Sequence, residues 1–326
     1  MMTGNMDNPR YSTQPANASR SMGCIFAAFI VGGMLPVVAC SCLVFATLAG
    51  FGVFLGDLSG AEQETGPAVG VIDLYGPIVE GSGFGTNPAY IKEQLDWMDE
   101  NKDVKALVIR ADSPGGGVNA SDEIWKAVED FSKPVVVYMH GTCASGCLYV
   151  ASAADESIAS RNTVVGSIGV ISTFFNVEEL ADDVGVSVDV IITGENKDFG
   201  SPFREMTEEE RAFWKGQLEI VLDHFVQVVA NRSGSTLTEA QVRELATGQA
   251  WIAPDALQLG LIDSLGYEKD ALDYAAQLAG MGDYRVQEYP FGFSELFRLF
   301  TSPSFSLKSA VDEVIQPVLE YRYYGP

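Results

Sequence analysis

A serine hydroxyl is a weak nucleophile until a neighbouring base takes its proton. In this chain the segment Gly141-Thr142-Cys143-Ala144-Ser145-Gly146 offers a serine at a strand-to-helix turn. Further on, Gly194-Glu195-Asn196-Lys197-Asp198-Phe199-Gly200 offers a lysine in a glycine-bounded loop. The only histidines are His140 and His224, so a serine enzyme must find its base elsewhere. Lysine is the known substitute, in Ser-Lys variants of the catalytic triad. It acts as a base only when neutral, which asks for a dry or cation-repelling surrounding.

The residues around these two groups refine the chemistry. Ser145 would follow a strand ending near Met139 and open the next helix, where free N–H groups and partial positive charge favour an oxyanion. Taken alone, a serine before a helix is a plain N-cap. The run Pro114-Gly115-Gly116-Gly117 follows a buried strand, and glycines let backbone N–H groups approach a substrate closely. Acyl transfer needs such donors where negative charge develops. Gly116 and Gly146 are the candidates for an oxyanion hole, with Gly115 the alternative if the register shifts by one. A phosphate loop is excluded, because the G-K-[ST] ending is missing. Lys197 alone would read as a surface lysine, and Glu195 and Asp198 beside it would hold its charge if they faced it. His140 has no evident acidic partner, and the residue after Cys143 is not placed to open the helix, so neither displaces Ser145. No histidine is spaced with Cys143 and Cys147 to hold zinc. These two cysteines, four apart, read as packed thiols, since a disulfide on one helix face would have awkward geometry.

These motifs occur in a recognisable order. They are Asp112-Ser113-Pro114-Gly115-Gly116-Gly117, Ala144-Ser145-Gly146, Val165-Gly166-Ser167-Ile168-Gly169-Val170, and Lys197 with the later Gly200-Ser201-Pro202-Phe203-Arg204. A fifth runs from Thr247-Gly248-Gln249-Ala250-Trp251 to Leu259-Gly260-Leu261-Ile262-Asp263. Together they resemble the S49 serine peptidases, the signal peptide peptidase A or protease IV family, in its short single-unit bacterial form. The resemblance spans residues 67–280 and implies a crotonase-like (ClpP/crotonase) fold of stacked ββα units. It implies that Ser145 is the nucleophile, that Lys197 is the general base, and that Ser167 orients the lysine amine. It also implies homo-oligomers with inward-facing sites, sometimes completed by a neighbouring subunit, and no cofactor or metal. One departure is that family members usually carry small residues where this chain has Cys143 and Cys147.

Composition sets the setting. A net charge of −24, from 20 basic and 44 acidic residues, argues against nucleic-acid binding. Residues 1–21 are polar and read as a disordered cytoplasmic tail. Residues 22–55 carry no charge and read as a transmembrane signal-anchor, the membrane segment extending to 56. As a helix this run would be roughly 50 Å long against a hydrocarbon core of roughly 30 Å, so one span must tilt, kink or protrude. Arg10 and Arg20 precede it and Asp57, Glu62 and Glu64 follow, which puts the main domain outside the cytoplasm. A linker at 57–66 then leads to a peptidase domain at 67–280.

Elements must position the motifs. Strand patterns fall at 69–74, 106–110, 134–139, 164–172 and 188–193. Helix patterns fall at 89–101, 121–131, 145–154 and 207–231, the last with Thr207 and Glu210 as a capping box. This alternation implies an α/β core with buried strands. Residues 281–326 break the rhythm and read as an oligomerisation tail, with Phe291, Phe293, Phe297 and Phe300 followed by a helical pattern at 307–320. The expected activity is that of a membrane-anchored serine endopeptidase acting on signal-peptide remnants and other apolar peptides. Two other readings remain open at this point. One is a catalytically silent peptide- or partner-binding membrane scaffold. The other is a crotonase-like acyl-CoA enzyme.

Overall fold

The computed structural model describes residues 66–81 and 85–290, and the backbone of 319–322. The chain divides after Glu64, and all described residues belong to the second unit. The apolar run at 22–55 and the phenylalanines at 291–300 lie outside the described residues. Among the described residues, no helix is long and apolar enough to cross a membrane.

The main sheet is built from strands β1 (Ala68–Tyr75), β2 (Val104–Ser113), β4 (Val135–Ala144), β5 (Glu156–Ala159), β6 (Val164–Gly166), β8 (Ala250–Ile252), β9 (Ser264–Leu265) and β10 (Arg285–Glu288). Its order is β10-β1-β2-β4-β5-β9, and every neighbouring pair on this path is parallel. Strand β6 adds to β4, and β8 pairs antiparallel with β6, which makes the sheet mixed. The central strands are apolar at almost every position because both faces are covered. Ile72, Leu107, Ile109, Val137 and Met139 point to one face and join the larger core. Val71, Val108, Val136 and Tyr138 point to the other and pack on Ala271 and Ala275. Those alanines lie on helix α8 (Glu268–Leu278).

The larger core is closed by helices α1 (Pro88–Glu100), α2 (Val118–Glu129) and α3 (Gly146–Ala151). Asn87 caps α1, its side-chain oxygen accepting from the Tyr90 N–H at 3.0 Å. Helix α4 is short (Glu178–Asp183), and α5 (Glu208–Ala230) is the longest described helix. The expected capping box of α5 is present: Thr207 Oγ1 accepts from Glu210 N, and Glu210 Oε2 accepts from Thr207 N. Helices α6 (Glu239–Leu245) and α7 (Ala253–Gln258) follow and had no separate sequence signal. Beyond 281 the chain first gives β10 to the main sheet.

A second sheet of three strands has the order β3-β11-β7, from β3 (Gly115–Gly117), β7 (Ile171–Ser172) and β11 (Leu319–Arg322). The expected helix at 307–320 is corrected at its end, since Leu319 and Glu320 are strand. The expected single strand at 164–172 is broken into β6 and β7, because Gly166 and Ser167 turn the chain with φ of 111° and 54°. The expected strand at 188–193 does not form. Its residues have no neighbouring strand among those described, and Val188, Val190, Ile191 and Ile192 are exposed.

Candidate active site

The bend in β4 places the serine. Val136–Met139 pairs with β5, whereas Thr142–Ala144 pairs with β6. Between the two halves, Gly141 has φ 72°, and a Cβ there would fall 2.6 Å from Asp112 Oδ1. Only glycine adopts that conformation in that space without strain. The same Asp112 oxygen accepts from the Thr142 N–H at 2.8 Å, replacing a ladder bond lost at the bend. The redirected strand ends at Ala144, and α3 begins at Gly146. Ser145 joins them with φ 55° and ψ −119°, a sharp strand-to-helix elbow that a residue with a Cβ adopts only when its surroundings enforce it. The Ser145 N–H donates to Gly166 O at 2.7 Å, and its C=O accepts from Tyr149 N at 3.0 Å. The residue is 1% exposed. Its side chain makes no capping hydrogen bond to α3, so the plain N-cap reading does not describe it.

The glycine candidates converge on this elbow. Gly115 O accepts from Ile78 N at 2.8 Å, and Gly117 N donates to Ile78 O at 2.9 Å. Backbone groups alternate along a strand, so the Gly116 N–H and C=O face away from Ile78. Gly116 has no room for a side chain: a Cβ would lie 1.8 Å from Ile78 O. A Cβ on Gly146 would lie 3.2 Å from the Gly116 nitrogen. The two residues are thus neighbours, one at the start of a helix and one with its N–H turned away from Ile78. Gly115, the alternative donor, spends its N–H on Ser113 Oγ at 3.1 Å. Behind them, buried Ser121 donates to Gly117 O at 2.8 Å and holds the loop against α2. Ser121 was not singled out in the sequence, because nothing in its local pattern separates it from a helix serine.

Ser167 lies one residue past the end of β6, as Ser145 lies one past the end of β4, and these two strands are paired in parallel. The structure therefore brings Ser145 and Ser167 together on adjoining strand ends. Ser167 donates its N–H to Gln249 O at 2.7 Å, so the Gln249-Ala250-Trp251 motif braces it. Trp251 fills the space beside Gly166, where a Cβ would meet the indole at 2.6 Å.

Lys197 is not brought to them. It is exposed, and among the described residues its amine has no hydrogen bond or ion pair with Ser145 or any other group. Its neighbour Asp198 is engaged elsewhere, its carboxylate accepting from Arg204 Nε at 2.7 Å. Arg204 continues to Glu210 at 2.6 and 2.8 Å. Arg204 holds the Asp198 carboxyl below its usual range. Arg204, with the Thr207 N–H, pulls Glu210 down to about 2. The two carboxylates hold the guanidinium firmly charged, that of Glu210 foremost. The loop carrying Lys197 is thereby tied to the start of α5. His140 sits within β4 against Tyr75 Oη at 3.1 Å and stacks on Tyr138, with no carboxylate partner among the described residues.

Two further findings were not legible. Cys143 and Cys147 form a disulfide, which corrects the expectation of two thiols. They do not share a helix face: Cys143 is on β4 and Cys147 on α3, and the elbow at Ser145 sets their Cα atoms 5.0 Å apart. The second finding is β11. It lies between β3 and β7 and is antiparallel to both, with Tyr321 opposite Gly116, Arg322 opposite Gly115 and Glu320 opposite Ile171. An extended segment of the chain's own C-terminal region thus fills the groove beside the candidate oxyanion donors.

Comparison with known proteins agrees with this geometry. The family model of peptidase family S49 matches residues 127–282, and that of Clp protease matches 83–170. A chain of Methanocaldococcus jannaschii, named as a candidate protease, is 31% identical over 291 residues, covering 86% of this chain and 91% of that one. Protease 4 of Haemophilus influenzae is 33% identical over 227 residues, covering 68% of this chain and 36% of its own length. An Enterococcus faecium chain, named as a candidate signal peptide peptidase, is 35% identical over 199 residues, covering 60% of this chain and 57% of its own. The Clp protease match and the mixed sheet give a ClpP-like fold. With the elbow serine at the junction of these matches, the chain belongs to peptidase family S49 and is a serine peptidase.

Proposed function

We propose that this chain is a membrane-anchored endopeptidase that cleaves extended apolar peptides, among them signal-peptide remnants, with Ser145 as nucleophile and Lys197 as base. The observation that carries this reading is the elbow. Ser145 stands in an enforced left-handed conformation beside Gly146 and Gly116, whose N–H groups would meet the carbonyl of a peptide that takes the place of β11. A peptide in the groove would run as β11 does, antiparallel to β3 and β7, and backbone pairing of this kind accepts many sequences. Attack of Ser145 Oγ on the scissile carbonyl would form the acyl-enzyme and expel the amine, which takes the proton held by Lys197. Water would then release the acid by the reverse proton path.

In our reading Lys197 reaches Ser145 from a second copy of the chain. Within one copy the lysine is exposed and the serine buried. The same arm carries Phe175, Leu180, Val184, Val186, Val190 and Ile191, all exposed, with Ile191 at 96%. A soluble surface rarely leaves so much apolar area uncovered, and a second copy is the occupant we infer. An anchor at 22–56 with the domain outside the cytoplasm remains our reading of the charge flanks, and a buried disulfide suits an oxidising compartment. Mixing tests the shared site. Ser145→Ala and Lys197→Ala proteins, each inactive, should regain peptide cleavage when unfolded and refolded together, because one interface then holds both intact groups. No recovery in co-assembled protein would place the lysine in the same copy as its serine or outside the reaction.

A further inference from the structure

The Cys143–Cys147 disulfide takes no part in the chemistry read above, yet it closes around the nucleophile. Only Ala144, Ser145 and Gly146 lie inside the loop. One end is fixed in β4, where Cys143 stands opposite Ser113 of β2 and Val165 of β6. The other end is fixed in α3, where Cys147 is buried in the larger core. Both cysteines are shielded from solvent, at 0% and 1% exposure.

A cross-link stabilises a fold chiefly by restricting the unfolded chain, and the effect grows with loop length. A separation of four residues is near the bottom of that scale, so this bond contributes less global stability than one closing a long loop. Two thiols or two small side chains would also fill the buried space. What the bond adds is local. It joins the strand before the elbow to the helix after it, across the one residue whose φ of 55° the backbone does not favour. Otherwise that residue is held by two backbone hydrogen bonds, to Gly166 O and from Tyr149 N.

We propose that the Cys143–Cys147 bond is a positioning clasp for the nucleophile: it fixes the elbow so that Ser145 Oγ keeps its register with the Gly116 and Gly146 N–H groups. The proposal rests on Ser145 being the nucleophile. It makes activity depend on the oxidation state of the pair. A dithiol that opens the bond gives up two electrons and two protons, leaving Cys143 and Cys147 as thiols and itself as a cyclic disulfide. The positioning is then lost and the chemistry slows, because a small misplacement of a reacting group has a large effect on rate.

The test uses the full-length protein in detergent, with a fluorogenic peptide and a fluorophosphonate probe. Cys143→Ala/Cys147→Ala should lower kcat and the rate of probe addition to Ser145 by about tenfold, equivalent to about 1.4 kcal/mol in the barrier. KM should stay within about twofold, and the melting temperature should fall by about 4–8 °C, as loss of a short-loop cross-link implies. A double variant with wild-type kcat, measured well below its melting temperature, would overturn the proposal whatever its stability. Should that variant fail to fold, wild-type protein is treated with dithiothreitol and the state of the 143–147 peptide is read by alkylation and mass spectrometry. Reversible loss of activity that tracks opening of this bond supports the clasp, and full activity with both thiols alkylated removes it. Both thiols found free in protein taken from an oxidising compartment would also remove it. Failure of the nucleophile reading looks different, since probe addition would then survive in Ser145→Ala.

Discussion

Gly146→Ala separates the demands of the helix from those of the site. Gly146 opens α3 with an ordinary negative φ, and in a helix alanine is favoured over glycine by about 1 kcal/mol. The surroundings oppose this. The new methyl would lie 2.4 Å from Ser121 Oγ, 3.2 Å from Gly116 N and 3.3 Å from Gly115 Cα. Ser121 is fully buried and bonded to Gly117 O, so it cannot swing aside as a long flexible chain would. Overpacking of this kind costs about 1–3 kcal/mol, which leaves a net loss near 1 kcal/mol, or about 2–4 °C of melting temperature. The kinetic effect should be larger. Pushing Gly116 away from Gly146 separates the two oxyanion donors, and loss of one donor lowers kcat by about 10²–10³. Ser121→Ala/Gly146→Ala relieves the closest clash, so its stability should exceed the sum of the single effects by about 1 kcal/mol. The contact with Gly116 N remains, so kcat/KM should stay near that of Gly146→Ala. Calorimetry and steady-state peptide cleavage measure both. A Gly146→Ala protein with raised melting temperature and unchanged kcat/KM would refute the idea that Gly146 and Gly116 form one oxyanion site.

Further outcomes follow from the same structure. Ser145→Ala and Lys197→Ala should each abolish cleavage, and the double mutant should be barely worse than either, because the two groups act on one step. Deleting the chain after Tyr289 removes β11, so an exogenous peptide inhibitor should bind the groove more tightly than in the full chain; unchanged affinity would detach the tail from the groove. Glu210, held at about 2 by Arg204 and Thr207, stabilises the folded state above the unfolded carboxyl range near 4.3. That contribution is lost as pH falls through about 2, so the urea stability of wild type should fall more steeply than that of Glu210→Gln between pH 4.5 and 2.

Much of this arrangement was legible because local chemistry dictates it. Apolar runs gave β1, β2 and β4, and Thr207 with Glu210 gave the start of α5 as a reciprocal hydrogen-bond pair. The glycines at 115–117 and 146 could be read as close-approach positions, and Gly116 and Gly146 do adjoin. What escaped depends on contacts distant in sequence. Ser121 and Asp112 act through hydrogen bonds to Gly117 and Thr142, which no spacing announces. The disulfide escaped because its geometry depends on the elbow, whose φ is invisible in composition. Residues 188–193 have the composition of a strand, but strand formation needs a partner edge, and none of the described residues supplies one. Strand β11 escaped for a related reason: 319–322 pairs with β3 and β7, which are distant in sequence, and that pairing is not written in its own residues.

The account turns on Ser145 as the nucleophile. A fluorophosphonate probe added to the full-length protein, followed by digestion and mass spectrometry, locates the adduct. The reading requires one adduct, on the peptide containing Ser145, formed far more slowly in Lys197→Ala and absent in Ser145→Ala. An adduct on another serine, or labelling that persists in Ser145→Ala, would contradict it.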